Sequence, residues 1–75
     1  MNIVNDNVSK IQSILIDIHK FKLHQAYTWV VTHNFKHNKI DVKRNYYRFR
    51  QFNPSPNKQY RTIELTNGVK AILEV

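Results

Sequence analysis

Between Asn7 and Phe21 the apolar residues Val8, Ile11, Leu15 and Ile18 recur at i, i+3, i+7 and i+10, with Ile14 and Phe21 broadening the stripe. An α-helix gathers that spacing onto one buried face, which predicts a helix over about residues 7–21. Asp6 or Asn7 would cap its start by accepting a hydrogen bond from a free backbone N–H. Ile14, Ile16 and Ile18 also alternate and are β-branched, so a strand beginning near Ser13 is the alternative. After Gln25 the period becomes two: Tyr27, Trp29, Val31 and Phe35 fall on one side of a predicted strand, and Thr28, Val30 and Thr32 on the other. Trp29 on that face is expected to pack against the helix stripe. His37, Asn38 and Lys39 break the pattern, and a second extended segment follows from Ile40 and Val42 through Tyr46 to Phe52.

Asn53-Pro54-Ser55-Pro56-Asn57 interrupts the pattern, because each proline fixes φ and removes a backbone donor; it is expected to be a loop between two hairpin arms. The next arm runs from Gln59 to Leu65, and Asn67-Gly68 supplies the residue types of a tight turn into a last strand, Val69 to Val75. A two-residue turn there would set Ile63 and Leu65 beside Ile72 and throw Val69, Ala71 and Leu73 onto the opposite face. Either both faces are partly covered or the turn is longer. The predicted architecture is α+β, a single small domain over residues 1–75 in which an N-terminal helix packs on an antiparallel meander of about four strands. Ala71 to Val75 would then be an exposed edge, through which a homodimer could pair.

Composition changes the picture in two ways. With 75 residues the core is small, and without cysteine no disulfide or thiolate metal cluster can reinforce it, which fits a reducing compartment. No apolar run reaches the length of a membrane span, and Met1 to Asp6 lacks the basic start of a secretory signal, so a cytoplasmic location is expected. The second change is charge. The chain carries +7, and eight of its twelve basic residues lie between Lys20 and Arg50 with one acid, Asp41, and seven of the nine aromatics. Clustered cations interleaved with stacking groups point to a polyanion, because neutralised phosphates release counterions and aromatic faces accept bases.

Within Tyr46-Tyr47-Arg48-Phe49-Arg50-Gln51-Phe52, a strand would place Arg48 and Arg50 on one face with Tyr46 and Phe52, and Tyr47 and Phe49 on the other. The predicted nucleic-acid-binding set is therefore Arg48, Arg50, Lys43, Arg44 and Lys39 for phosphates and Tyr46 and Phe52 for stacking, with Lys36 as an extension. The competing reading makes Tyr47 and Phe49 core and pairs the arginines with carboxylates across the sheet. The polyanion reading requires the mid-chain cations to gather on one water-facing side, and fails if they scatter or are held by Asp41, Glu64 and Glu74.

His33 and His37 are four apart and would share a face only on a helix; the expectation is ordinary histidines and no metal or cofactor. No close pair of acids is present, and a single glycine excludes the P-loop, the dinucleotide-binding pattern and the nucleophile elbow, so no enzymatic activity is expected.

Tyr47-Arg48-Phe49-Arg50-Gln51, then Pro54, then Tyr60-Arg61-Thr62, Leu65 and Gly68-Val69-Lys70-Ala71-Ile72 resembles a pattern in small uncharacterised phage and prophage proteins. The resemblance covers the chain from Tyr47 onward. It implies an accessory protein of a mobile element acting in the host cytoplasm, and supplies no functional residues. Tyr60 to Leu73 is also similar to an opening strand of a large metallopeptidase family, but that family's metal motif is missing here. The expected function is non-catalytic nucleic-acid binding. Arg48→Ala should then weaken binding across all sequences. The alternatives are a protein-binding inhibitor or adaptor acting on a host defence protein, as an anti-CRISPR does, or on a replication protein, and a structural homo-oligomer.

Overall fold

The computed structural model describes residues 10–75. Its elements are β1 (Lys10–Asp17), α1 (Leu23–Thr32), β2 (Ile40–Val42), β3 (Tyr46–Arg50), β4 (Tyr60–Thr66) and β5 (Val69–Glu74). All strand pairs are antiparallel in one five-stranded sheet of order β2-β3-β1-β5-β4. The α+β class holds, with five strands in place of about four.

Two elements exchange type relative to the pattern. The segment expected as a helix is the central strand β1, where Ile14 and Ile16 alternate into the core and their β-branched side chains suit a pleated surface. The start near Ser13 was the right alternative in type. The proposed caps Asp6 and Asn7, and Val8, lie outside the described residues. The segment expected as a strand from Tyr27 to Phe35 is instead mostly α1, which buries Ala26 and Val30 one turn apart. Its start is fixed by Gln25, whose Oε1 accepts the Lys22 N–H at 2.8 Å. Its end is a Schellman motif: Asn34 takes a left-handed φ of 64°, Phe35 N–H donates to Val30 C=O and Asn34 N–H to Val31 C=O, both at 3.0 Å. Trp29 thus lies on the helix, stacked on His33 with ring centroids 3.8 Å apart, and it is partly buried against the core.

The stretch from Ile40 to Phe52 is not one strand. It is the hairpin β2–β3 with Arg44 and Asn45 at the turn, closed by Lys43 N–H donating to Tyr46 C=O. Nor does the proline loop join hairpin arms, since β3 borders β1 whereas β4 is the far edge. The loop therefore passes the ends of β1 and β5, where Ser55 N–H donates to the Tyr60 hydroxyl, which donates to Glu74. The last strand is not an edge: β5 pairs with β1 and with β4, so a dimer through Ala71 to Val75 has no free ladder to use. The free edges among the described residues are β2 and β4.

The core face joins Ile14 and Ile16 to Tyr47, Phe49, Val69 and Ala71, under Ala26 and Val30 of α1. The awkward register of the last hairpin is resolved by a bulge: the pairing slips between Glu64 and Thr66, so Ile63 stands beside Ala71 on the core side and Leu65 is the extra residue. Gly68 turns the chain with φ of +86°, and a Cβ on it would lie 2.9 Å from the Phe21 ring. Gly68→Ala is expected to cost about 2 kcal/mol, from left-handed strain and displacement of Phe21. In thermal unfolding that is a fall in midpoint of roughly 8 °C or more.

Candidate nucleic-acid interface

Strand pleating sorts the charges. On the sheet face away from the core, cross-strand pairing places Asp41 with Arg48, Arg48 and Lys70 on either side of Leu15, Glu64 with Lys70, Lys10 with Glu74, and Asp17 with Tyr46. Tyr46, Arg48 and Arg50 do share this open face, and Tyr47 and Phe49 are buried opposite, as the alternation required. Among the described residues, however, all four acids, Asp17, Asp41, Glu64 and Glu74, stand here against four cations, Lys10, Arg48, Arg50 and Lys70. The open face is electrically balanced. It cannot be the cationic platform that the sequence suggested.

Arg48 and Arg50 are held directly. Asp41 Oδ2 accepts from Arg50 Nη2 at 2.7 Å and from Arg48 Nη2 at 3.2 Å, with about 30% of each side chain exposed. Hydrogen bonds from Arg50 and then Arg48 hold the Asp41 carboxyl below its ordinary pKa. The Nε–H groups of both arginines are buried with no hydrogen-bond partner. The three residues together carry +1.

The surplus lies elsewhere: Lys22, Lys36, Lys39, Lys43, Arg44, Lys58 and Arg61 stand outside these paired positions, whereas Lys20, from the turn after β1, reaches the open-face groove beside Asp17 and Glu64. Five of these flank the ends of α1 and β2. Lys43 and Arg44 sit at the turn beyond one end of β2, joined to the end of β1 by the Ile18 N–H to Asn45 C=O bond at 3.1 Å, so Lys20 and Lys22 are nearby in the following turn. Lys36 and Lys39 precede the other end of β2. Besides Asp41, Arg48 and Arg50 on the open face, Lys36, Lys39, Lys43 and Arg44 add +4 around the edge strand β2. Lys39 and Lys43, four residues apart across extended chain, are separated by about 13 Å at the usual strand rise.

The predicted binding residues thus fall into three places, with Arg48 and Arg50 held by Asp41, so the single water-facing patch that the polyanion reading required is not formed. Lys39, Arg50 and Phe52 line one cleft of about 300 Å³ together with Lys36. Lys43 and Arg44 are exposed at the opposite end of β2. Tyr46 lines a separate groove of about 520 Å³ on the open face, beside Asp17, Lys20, Glu64 and Lys70 over a Leu15 floor. Arg48 lies between, on Asp41. Phe52 does not share the strand face with Tyr46; it follows the end of β3, and its carbonyl accepts from Gln12 Nε2 at 2.6 Å. Gln12, buried with Ser13 at a bulge in β1, is the feature pattern reading missed, although a Gln-Ser pair inside an isoleucine-rich strand was its visible sign.

The histidines have separate occupations. His33 Nδ1 lies 2.7 Å from Trp29 C=O at the helix end, and His37 packs edge-on to Tyr27. Among the described residues no helix is long and apolar enough to cross a membrane. No protein-family model, curated protein or solved structure was found to match this chain.

Proposed function

We propose that this protein binds nucleic acid without catalysis, through the basic edge formed by β2, its two flanking turns and the end of β3. The observation that supports the reading is the separation of charge: among the described residues the carboxylates lie on the open face, where Asp41 of β2 is taken up by Arg48 and Arg50, leaving Lys36, Lys39, Lys43 and Arg44 along one edge without a paired acid. Such a row neutralises successive phosphates of a backbone that carries one charge per nucleotide. The mobile-element origin rests on the C-terminal resemblance.

Fluorescence anisotropy with labelled single-stranded and duplex oligonucleotides at two salt concentrations tests this. If about four cations contact a single strand, the slope of log K against log salt should be near −3. Arg44→Ala should flatten it by roughly 0.7 and weaken all sequences alike. Absence of salt-dependent binding to DNA or RNA at physiological ionic strength would remove the proposal.

A second reading, an inhibitor or adaptor docking on a host protein, is favoured by one observation. Leu23, Tyr27 and Val31 of α1 are 40–47% exposed, and Val42 at the end of β2 is 65% exposed. A pull-down partner that survives nuclease treatment would favour it. A homo-oligomer joined by strand pairing would have to use β2 or β4.

A further inference from the structure

The edge is not uniform along its length. At the outgoing end of β3 it deepens into the cleft of about 300 Å³ lined by Lys36, Lys39, Arg50 and Phe52 with Asn38, Gln51 and Asn53, and by no carboxylate residue. That volume is at the lower end for small-molecule clefts. We infer that this cleft is a single-nucleotide subsite in which Lys36, Lys39 and Arg50 take the phosphate and the Phe52 ring stacks on the base. The inference rests on the nucleic-acid reading above and names where along the edge a nucleotide is gripped.

The cleft walls are fastened by hydrogen bonds that do not use the groups needed for a ligand. Gln51 Oε1 accepts the Lys36 N–H at 2.8 Å, and its Nε2 donates to Lys36 C=O at 3.0 Å and Phe49 C=O at 3.2 Å. Arg50 N–H donates to Lys39 C=O at 3.0 Å. On the other wall Gln51 N–H donates to Gln12 C=O at 2.7 Å, and the buried Gln12 side chain holds the Phe52 carbonyl while accepting from Ser13 Oγ. Both lysines and the aromatic ring are therefore mounted on backbone that is already ordered, which lowers the entropy lost on binding. Arg50 gives Nη2 to Asp41 and keeps its Nη1 donors. Asn38 and Asn53 offer both donors and acceptors for a base edge. Tyr46 is the poorer platform, because its groove also holds Asp17 and Glu64, which repel phosphate.

The test is an amide NMR titration of the wild-type chain with inorganic phosphate, thymidine 5′-monophosphate and a short single-stranded oligonucleotide. The nucleotide is expected to move the amides of Lys36 to Lys39 and Arg50 to Asn53, and to bind roughly fivefold or more tighter than phosphate. Phe52→Leu keeps an apolar side chain but removes the aromatic face, and should bring the nucleotide down to the phosphate affinity without changing the latter. Equal affinities for phosphate and nucleotide in the wild type, or shifts confined to other regions, would overturn the subsite. If the oligonucleotide still binds with salt dependence in that case, the edge reading stands without it; if no ligand shifts any amide, both fall.

Discussion

Replacing Phe49 by alanine is expected to remove much of the protein's stability. The ring is fully buried in the second strand from the β2 edge, directly opposite Ile14 on one side and Ile40 on the other, with the Tyr27 ring edge-on at 6.5 Å. Removing it forfeits the transfer energy of a large aromatic group and leaves a void that a sheet cannot close without moving β1, a cost of about 3–5 kcal/mol. A chain of this length has about 4–11 kcal/mol of stability in total. No disulfide is present to offset the loss. Thermal unfolding followed by circular dichroism should show a midpoint lowered by at least about 12 °C. A shift of only a few degrees would mean that the core is not centred on this residue.

The second large effect is expected at Asp41, in the direction of gain. This carboxylate neutralises one of two guanidiniums that would otherwise stand side by side next to the basic edge, at 2.7 Å and 3.2 Å. Asp41→Asn removes a negative charge from the interface and releases both arginines, so affinity for single-stranded oligonucleotides should rise at low salt. The salt slope should steepen by roughly 0.7, the equivalent of one more phosphate contact. An Asp41→Asn chain that binds no better would place the ligand away from β2 and β3. The same pair has a pH signature. Because the folded carboxyl titrates below its ordinary value of 3.8, the stability it contributes is complete above that pH and is lost as pH falls through the lowered value. Wild-type stability should therefore decline with acid below about pH 4, and Asp41→Asn should decline less steeply, as read from urea midpoints against pH.

How far the pattern could be read depended on how local each decision was. In Tyr46 to Arg50 a single alternation, with one bulky aromatic pair on alternate positions, sorted buried from exposed correctly, since a strand's two faces follow from the pleat alone. The exchange of β1 and α1 came from segments that satisfy both periods. Leu23, Ala26, Tyr27, Val30 and Val31 carry a helical spacing of i, i+3, i+4, i+7 and i+8, and Asn34 is a helix stop, but the Thr, Trp and Val residues between them favour strands taken singly. In β1 two buried isoleucines opposite Tyr47, Phe49, Val69 and Ala71 settle the matter, and those partners are 31 or more residues away in sequence.

The amino-acid order by itself determined that the positive charge is concentrated before Arg50, that Tyr47 and Phe49 face away from Arg48 and Arg50, and that Gly68 turns the chain. These are consequences of composition, of the two-residue pleat and of a backbone angle that only glycine adopts freely. Which cations remain available to a partner was decided only by the tertiary structure. Charge compensation is a matter of cross-strand register, and a sheet of order β2-β3-β1-β5-β4 collects acids from four separate strands onto one face while leaving the lysines of the turns along an edge. Coulomb attraction falls with distance in space, and sequence separation does not report that distance until the strands are paired.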